Sequence, residues 1–386
     1  MQRRELFAGL GAAAVLAACS SEPTRQEAGP APSPALPPVR LSADRIIKIT
    51  VCTRPFRAAG PRLDVEQIGP KTVVHNYGHG GSGWSLSWGS GTIAARNALA
   101  SGQRQIAVIG CGALGLTCAT LLQRAGALVT IYAKELPPQT RSTNATGEWT
   151  PDSRICLASQ ATPAFKQLWQ QMARTSYLAY TNLLGLPGSP VEYVDNYDLT
   201  DVPYEQAMAQ QPADTVQMAD LQQELIPELV TRPRDLPPGL HPFAIRYARV
   251  SSQMMFNLTA YQRLLVSDFV ANGGKIVITE FHTPEDFSRL SETVLVNCTG
   301  FGARALLGDQ SITPVRGQVA RLIPDEAVHY GWTYQNNLFL PRRDGLLVQA
   351  FGQDSKGMND DTVVPDRAEA ENAVALLARA GPRQPA

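Results

Sequence analysis

The chain has 386 residues, 44% of them apolar, and its 34 basic residues cancel its 34 acidic ones. That length and apolar content suffice for two domains with buried cores. The balance of charge excludes both the basic field that nucleic-acid binding needs and the net charge that keeps a chain disordered.

Residues 1–19 read as a signal peptide, because Arg3 and Arg4 precede the apolar run Leu6–Ala18. That run is shorter than the ~20 residues a bilayer span requires. Leu16-Ala17-Ala18-Cys19 closes it as a lipobox would. Cys19 is therefore the expected lipidation site and membrane anchor. The pattern resembles a bacterial twin-arginine signal, so the protein is expected in the cell envelope as a periplasmic lipoprotein. A soluble exported protein with an incidental Cys19 is the alternative. Residues 20–44, rich in Pro, Ala and Ser, read as a flexible linker. With Cys19 set aside, the five cysteines left are scattered without CxxC or zinc spacing, which argues against a disulfide framework.

The folded part begins with the strand-like run RIIKITVC at 45–52 and the glycine-rich HNYGHGG at 75–81, which feeds a helix over about 83–100. Residues 104–132 follow as strand, turn, helix, strand. Helices are expected at 161–185 and 204–230, and buried strands at 276–280 and 293–298. Residues 312–323 and 337–351 look antiparallel, and 366–380 forms an amphipathic helix. The fold class is α/β.

GCGALG at 110–115 is a dinucleotide fingerprint in its proper context, after a strand and before a helix. Gly110 makes the tight turn, Gly112 lets the backbone approach a pyrophosphate, and Gly115 lets helix and strand pack. Glu135 is the acidic residue expected ~20 positions on, against the ribose. The polar loop 139–149 suits backbone approach to a cofactor. His75 and His79 are four apart, but Gly78, Gly80 and Gly81 argue against the helix a metal pair would need. They read as structural imidazoles satisfied by backbone, and no metal is expected.

HNYGHGGSGWSLSWG, TRPFR at 53–57, GPRL at 60–63, VNCTG at 296–300 and RGQ at 316–318 together resemble the D-amino acid oxidase family of FAD enzymes. The resemblance implies a Rossmann-like FAD-binding domain and a substrate domain with a mixed or antiparallel sheet. It covers roughly 45–355, in an abnormal order. The arginine motif and HNYGHGG end the family's chains, yet here they precede the fingerprint. We read this as a circular permutation joined through Ala100–Arg104. The FAD domain would comprise 59–160 and 248–310, and the substrate domain 45–58, 161–247 and 311–386. Residues 45–57 are expected to pair with strands near 337–351.

The resemblance also implies site residues. FAD would be held at the fingerprint by Gly110, Gly112, Ala113, Leu114 and Gly115, with Glu135. Arg141, Ser142 and Gly147 of the loop would add contacts. Gly80, Gly81, Ser82, Gly83 and Ser85 would face the flavin, where the helix dipole stabilises negative charge on the reduced ring. Arg54 would pair with the substrate α-carboxylate and Tyr334 would add a hydroxyl, while Arg57 and Arg62 read as structural. Leu338 replaces the family's second pocket tyrosine. The implied reaction is FAD-dependent oxidative deamination of an amino acid, taken as a D-amino acid. A hydride passes to flavin, an imine hydrolyses to keto acid and ammonia, and oxygen is reduced to hydrogen peroxide. A related amine or N-substituted glycine oxidase, and a non-catalytic flavin-binding lipoprotein, are the alternatives.

Overall fold

The computed structural model describes residues 35–211 and 213–383. Arg3, Arg4 and Cys19 lie outside them. Residues 35–44, expected as free linker, are partly packed: Leu36, Val39 and Leu41 lie on an apolar cluster, and the Pro37 carbonyl accepts from the Tyr330 hydroxyl.

The chain opens with β1 (Ile46–Arg57), β2 (Val65–Ile68), β3 (Lys71–His75) and α1 (Gly83–Leu99). After residues 100–104 come β4 (Gln105–Ile109), α2 (Ala113–Arg124), β5 (Leu128–Ala133) and α3 (Pro163–Thr181). Thr162 caps α3, its side chain accepting from Phe165 N, and Pro163 takes the first turn where no N–H is needed. β6 (Val191–Thr200) follows. Only α4 (Tyr204–Ala209) and α5 (Gln222–Leu225) realise the long helix expected at 204–230. Pro203 and Pro227 bracket these short pieces, and proline does not continue a helix interior. Then come β7 (Arg234–Leu236), β8 (Tyr247–Phe256), α6 (Leu258–Ala271), β9 (Lys275–Ile278), β10 (Val294–Asn297) and α7 (Ala303–Leu306). β11 (Ile312–Leu322), β12 (Tyr330–Tyr334), β13 (Asn337–Leu340), β14 (Leu346–Ala350) and α8 (Arg367–Ala380) complete the fold.

These strands make two sheets. The six-stranded sheet has the order β2-β3-β10-β4-β5-β9, parallel except for edge strand β2. Its central strands are nearly continuous apolar runs because both faces are covered. Helices α1, α2, α3 and α6 bury one face, while Phe287 and Leu306 pack on the other. β9, expected to be buried, is mostly exposed because it is the sheet's edge.

The eight-stranded sheet has the order β1-β11-β14-β13-β12-β6-β8-β7, antiparallel except between β12 and β6. β1 thus pairs with β11 at the sheet's edge, not with the strands at 337–351. Two domain boundaries also move. α3 carries Trp169 and Met172 into the core of the six-stranded unit, and β8 pairs with β6 in the eight-stranded sheet. Helix α8 covers one face of that sheet, where Trp332, Tyr334 and Phe339 meet Val374 and Leu377. Among the described residues no helix is long and apolar enough to cross a membrane.

Candidate functional site

The uncovered face of the eight-stranded sheet looks across a cavity of about 770 Å³ at the C-terminal ends of β4 and β5. Parallel sheets place ligands there. At Gly110 the backbone turns sharply with φ of +108°, and a Cβ would fall 2.6 Å from Cys298 O. Only glycine meets both conditions. Gly112 and Ala113 then open α2, and Ala113 N donates to Ser142 Oγ at 3.1 Å. Leu114 and Glu135 also line the cavity, as do Arg141, Ser142 and Gly147. Gly115 does not. It sits behind, where any Cβ would strike the Gly110 carbonyl, so it serves helix–strand packing.

Helix α1 points its first turn at the same space. Gly80, Gly81, Gly83 and Ser85 line the cavity, whereas Ser82 is buried behind it and donates to Ser153 O. Trp84 is also on the wall, with Nε1 donating to Ser142 O at 2.9 Å. The two histidines part company. His75 is held by side chains, with Nε2 3.0 Å from Glu66 Oε2 and Nδ1 3.1 Å from Asn297 Nδ2. His79 lines the cavity at 1% exposure with neither ring nitrogen partnered, and burial lowers its pKa to about 3. Backbone satisfies neither ring, contrary to expectation.

FAD fits this arrangement. The cavity joins one helix start, whose free N–H groups suit a phosphate, to a second helix start. His79, an orphaned buried imidazole on the wall, needs a ligand partner of the kind a flavin's polar edge provides.

The substrate end is built on strand parity. Alternate residues of a strand face opposite sides. On β12, Thr333 faces the cavity while Trp332 and Tyr334 face α8. This removes Tyr334 from the pocket: its hydroxyl donates to Asp201 Oδ2 at 3.0 Å, and the side chain is 8% exposed among the α8 contacts. Leu338, the register partner of Thr333, does line the cavity.

Arg54 reaches the cavity from β1. Its guanidinium lies over Gly317 of β11, where a Cβ would come within 2.6 Å of Cζ and Nη2. Nη1 donates to Arg316 O at 3.3 Å, and among the described residues no carboxylate pairs with it. Burial, helped by nearby Arg154, lowers its pKa to about 10, which leaves it charged at neutral pH. Arg57 and Arg62, by contrast, are committed to Ser311 and to Asp64 and Glu66.

Sequence reasoning missed the polar wall opposite. Asn196 and Asp198 of β6, Ser251 and Gln253 of β8 and Glu148 of the 139–149 loop face the cavity. Burial, with the Asp198 charge, raises Glu148 to about 7, and burial also raises Asp198 against the pull of Arg249. Burial without an ion-pair partner makes ionisation of both carboxyl groups costlier.

The family model DAO, described as FAD dependent oxidoreductase, matches residues 105–385. A D-amino-acid oxidase of Rubrobacter xylanophilus is 26% identical over 287 residues, covering 72% of this chain and 76% of that protein. A D-amino-acid oxidase of Streptomyces coelicolor is 25% identical over 258 residues, covering 63% and 68%. Glycine oxidase from Geobacillus kaustophilus has a similar fold, with a TM-score of 0.50 at 13% identity over 72% of this chain and 77% of that one.

Proposed function

Since the chain belongs to the DAO family of FAD-dependent oxidoreductases, we propose that it oxidatively deaminates a D-amino acid held by its α-carboxylate on Arg54. The observation that carries this reading is the unpaired Arg54 guanidinium on the cavity wall. A planar guanidinium whose only hydrogen bond among the described residues is from Nη1 to Arg316 O keeps N–H groups for a two-pronged contact with a carboxylate.

When bound, FAD supplies the two-electron acceptor for a hydride, and oxygen is the proposed final oxidant. The protein's part is orientation and electrostatics. Arg54 fixes one end of the substrate, and Leu338 and Phe351 offer apolar wall beside it. If the amine enters neutral, no side chain has to take its proton before the C–H bond breaks. The first turn of α1 aims unpaired N–H groups into the cavity and stabilises negative charge there. Turnover of a panel of D-amino acids, glycine and sarcosine, followed by peroxide, tests the reading. Arg54→Leu should retain flavin yet lose about thirty- to several-thousand-fold in kcat/KM, the ~2–5 kcal/mol cost of an unpaired buried charge. Unchanged kcat/KM on every carboxylate substrate would reject the clamp and favour an amine oxidase.

We also read the chain as circularly permuted. In support, the family match begins at residue 105, while β1–β3 come from residues before it and join the same two sheets, and α1 packs in the same core. Leu36–Ile46 and the end of α8 share one apolar cluster, so the two ends lie close, which permutation requires. Export as a twin-arginine lipoprotein completes the proposal. Cys19→Ser should release the protein from the membrane fraction, and continued retention would refute the anchor.

A further inference from the structure

Two carboxylates face the cavity that holds Arg54, and the clamp does not use them. Glu148 and Asp198 both line it, and among the described residues neither side chain has a hydrogen-bond or ion-pair partner. The available cations are engaged elsewhere: Arg249 Nε lies 2.6 Å from Asp235, and Arg154 Nη2 lies 3.8 Å from Asp354 and donates to Gln353 O. A separate observation points to a missing ligand at the same place. Asn196, two residues from Asp198 on the same face of β6, is 8% exposed, lines the cavity, and has an Oδ1 with no partner. Two carboxyl groups without ion-pair partners and an orphaned carbonyl oxygen together make an acceptor-rich patch, which is satisfied by a ligand carrying N–H donors.

The register shows where this wall stands relative to the clamp. Gln349, Leu338, Thr333 and Asp198 are successive partners across β14, β13, β12 and β6, all on the cavity side. The Arg54 guanidinium lies over β11, the next strand beyond β14. Neighbouring strands are ~4.8 Å apart, so β11 and β6 are separated by about 19 Å along the sheet before side chains reach inward. Anion and cation sites therefore stand at opposite ends of a trough floored by Leu338 and Thr333. An extended lysine holds its carboxylate and ammonium about 8 Å apart, so the Arg54, Glu148 and Asp198 side chains close the remaining distance from the two ends, and the ligand needs a long chain with a carboxylate at one end and a cation at the other.

We propose that the cavity selects α-amino acids with a long cationic side chain, the α-carboxylate on Arg54 and the distal ammonium or guanidinium between Glu148 and Asp198. The proposal rests on the amino-acid oxidation reading above and names its substrate class. The α-amine, which reacts as the neutral base, leaves the acidic pair for this second charge. A cation also removes the repulsion between the two acids.

The test uses the flavin-loaded full-length protein. Its absorbance is titrated with 6-aminohexanoate and with hexanoate, which differ only by the terminal ammonium. In parallel, kcat/KM is measured for D-lysine and D-norleucine. Charge-assisted contacts predict tighter binding of 6-aminohexanoate by about tenfold or more, and a similar preference for D-lysine. Glu148→Gln combined with Asp198→Asn should bring each pair together while hexanoate still binds. Equal or tighter binding of hexanoate, or a preference for D-norleucine, overturns the cation site and leaves amino-acid oxidation standing. If neither carboxylate perturbs the flavin and no amino acid is oxidised, the amino-acid reading itself falls and takes the site with it. Should the double variant fail to fold, the wild-type comparison of the two ligand pairs decides alone.

Discussion

Gly317→Ala isolates the clamp without touching its charge. Gly317 lies in β11 opposite Cys52, and its φ is not in the left-handed region, so an alanine backbone is acceptable there. The added methyl would nevertheless lie 2.6 Å from both Cζ and Nη2 of Arg54, closer than real Cβ contacts come. Ordinary contact needs ~3.5 Å, so the guanidinium has to retreat by about an ångström. It can do so cheaply, since it is the far end of a flexible side chain. Folding and flavin retention should therefore survive. Misplacing a positioning group by ~1 Å costs on the order of a hundredfold in rate, or ~2.7 kcal/mol. The expected result is a yellow protein whose Tm stays near that of wild type and whose kcat/KM on carboxylate substrates falls about a hundredfold. Peroxide-coupled kinetics and flavin absorbance on the same sample provide the measurement. A flavin-loaded Gly317→Ala with kcat/KM within about threefold of wild type would refute the placement of the substrate carboxylate on Arg54, since a loss of ~0.6 kcal/mol is too small for a displaced clamp.

The other expectations are simpler. Gly112→Val should purify largely colourless, because the proposed pyrophosphate contact is to the backbone there while its own φ of −85° suits any residue; a variant that stays fully yellow places the pyrophosphate elsewhere. Tyr334→Phe should keep kcat/KM within about twofold and lose ~1 kcal/mol of stability with its bond to Asp201; a large loss of activity would return Tyr334 to the pocket. Glu148 should also make stability depend on pH. Its folded pKa is raised from the ordinary 4.5 to about 7, so the folded state holds a proton the unfolded state has released, and stability falls as pH climbs through that window. Glu148→Gln lacks this loss, so its advantage over wild type in unfolding free energy should grow between about pH 5 and pH 8, by on the order of 2 kcal/mol, as denaturant melts at each pH would show. A difference that stays flat with pH would show that Glu148 is ionised in the fold throughout.

The sequence by itself determined whatever is local. GCGALG stands between an apolar run and a helix, and Gly110 and Gly115 answer to atoms a few residues away or in the next strand, so the strand–turn–helix at this end of the cavity could be read directly. The same holds for α1 after HNYGHGG and for α8, whose apolar stripe and Asp366 cap are contained in the helix itself. Tertiary structure decided the substrate end. Tyr334 and Thr333 are neighbours in sequence, and only the packing of α8 determines which of them faces the cavity. β6 and β8 were not legible as pocket walls because buried and exposed residues do not alternate cleanly along either strand. Glu148 looked like one more polar residue in a surface loop. It becomes an unpaired acid beside Asp198 only when residues 146–149 bond across to β8 and β14, through Glu148 with Met255 and Thr146 with Gln349. A pocket wall assembled from seven strands and a loop depends on register and parity between segments far apart in sequence, and no local pattern encodes those.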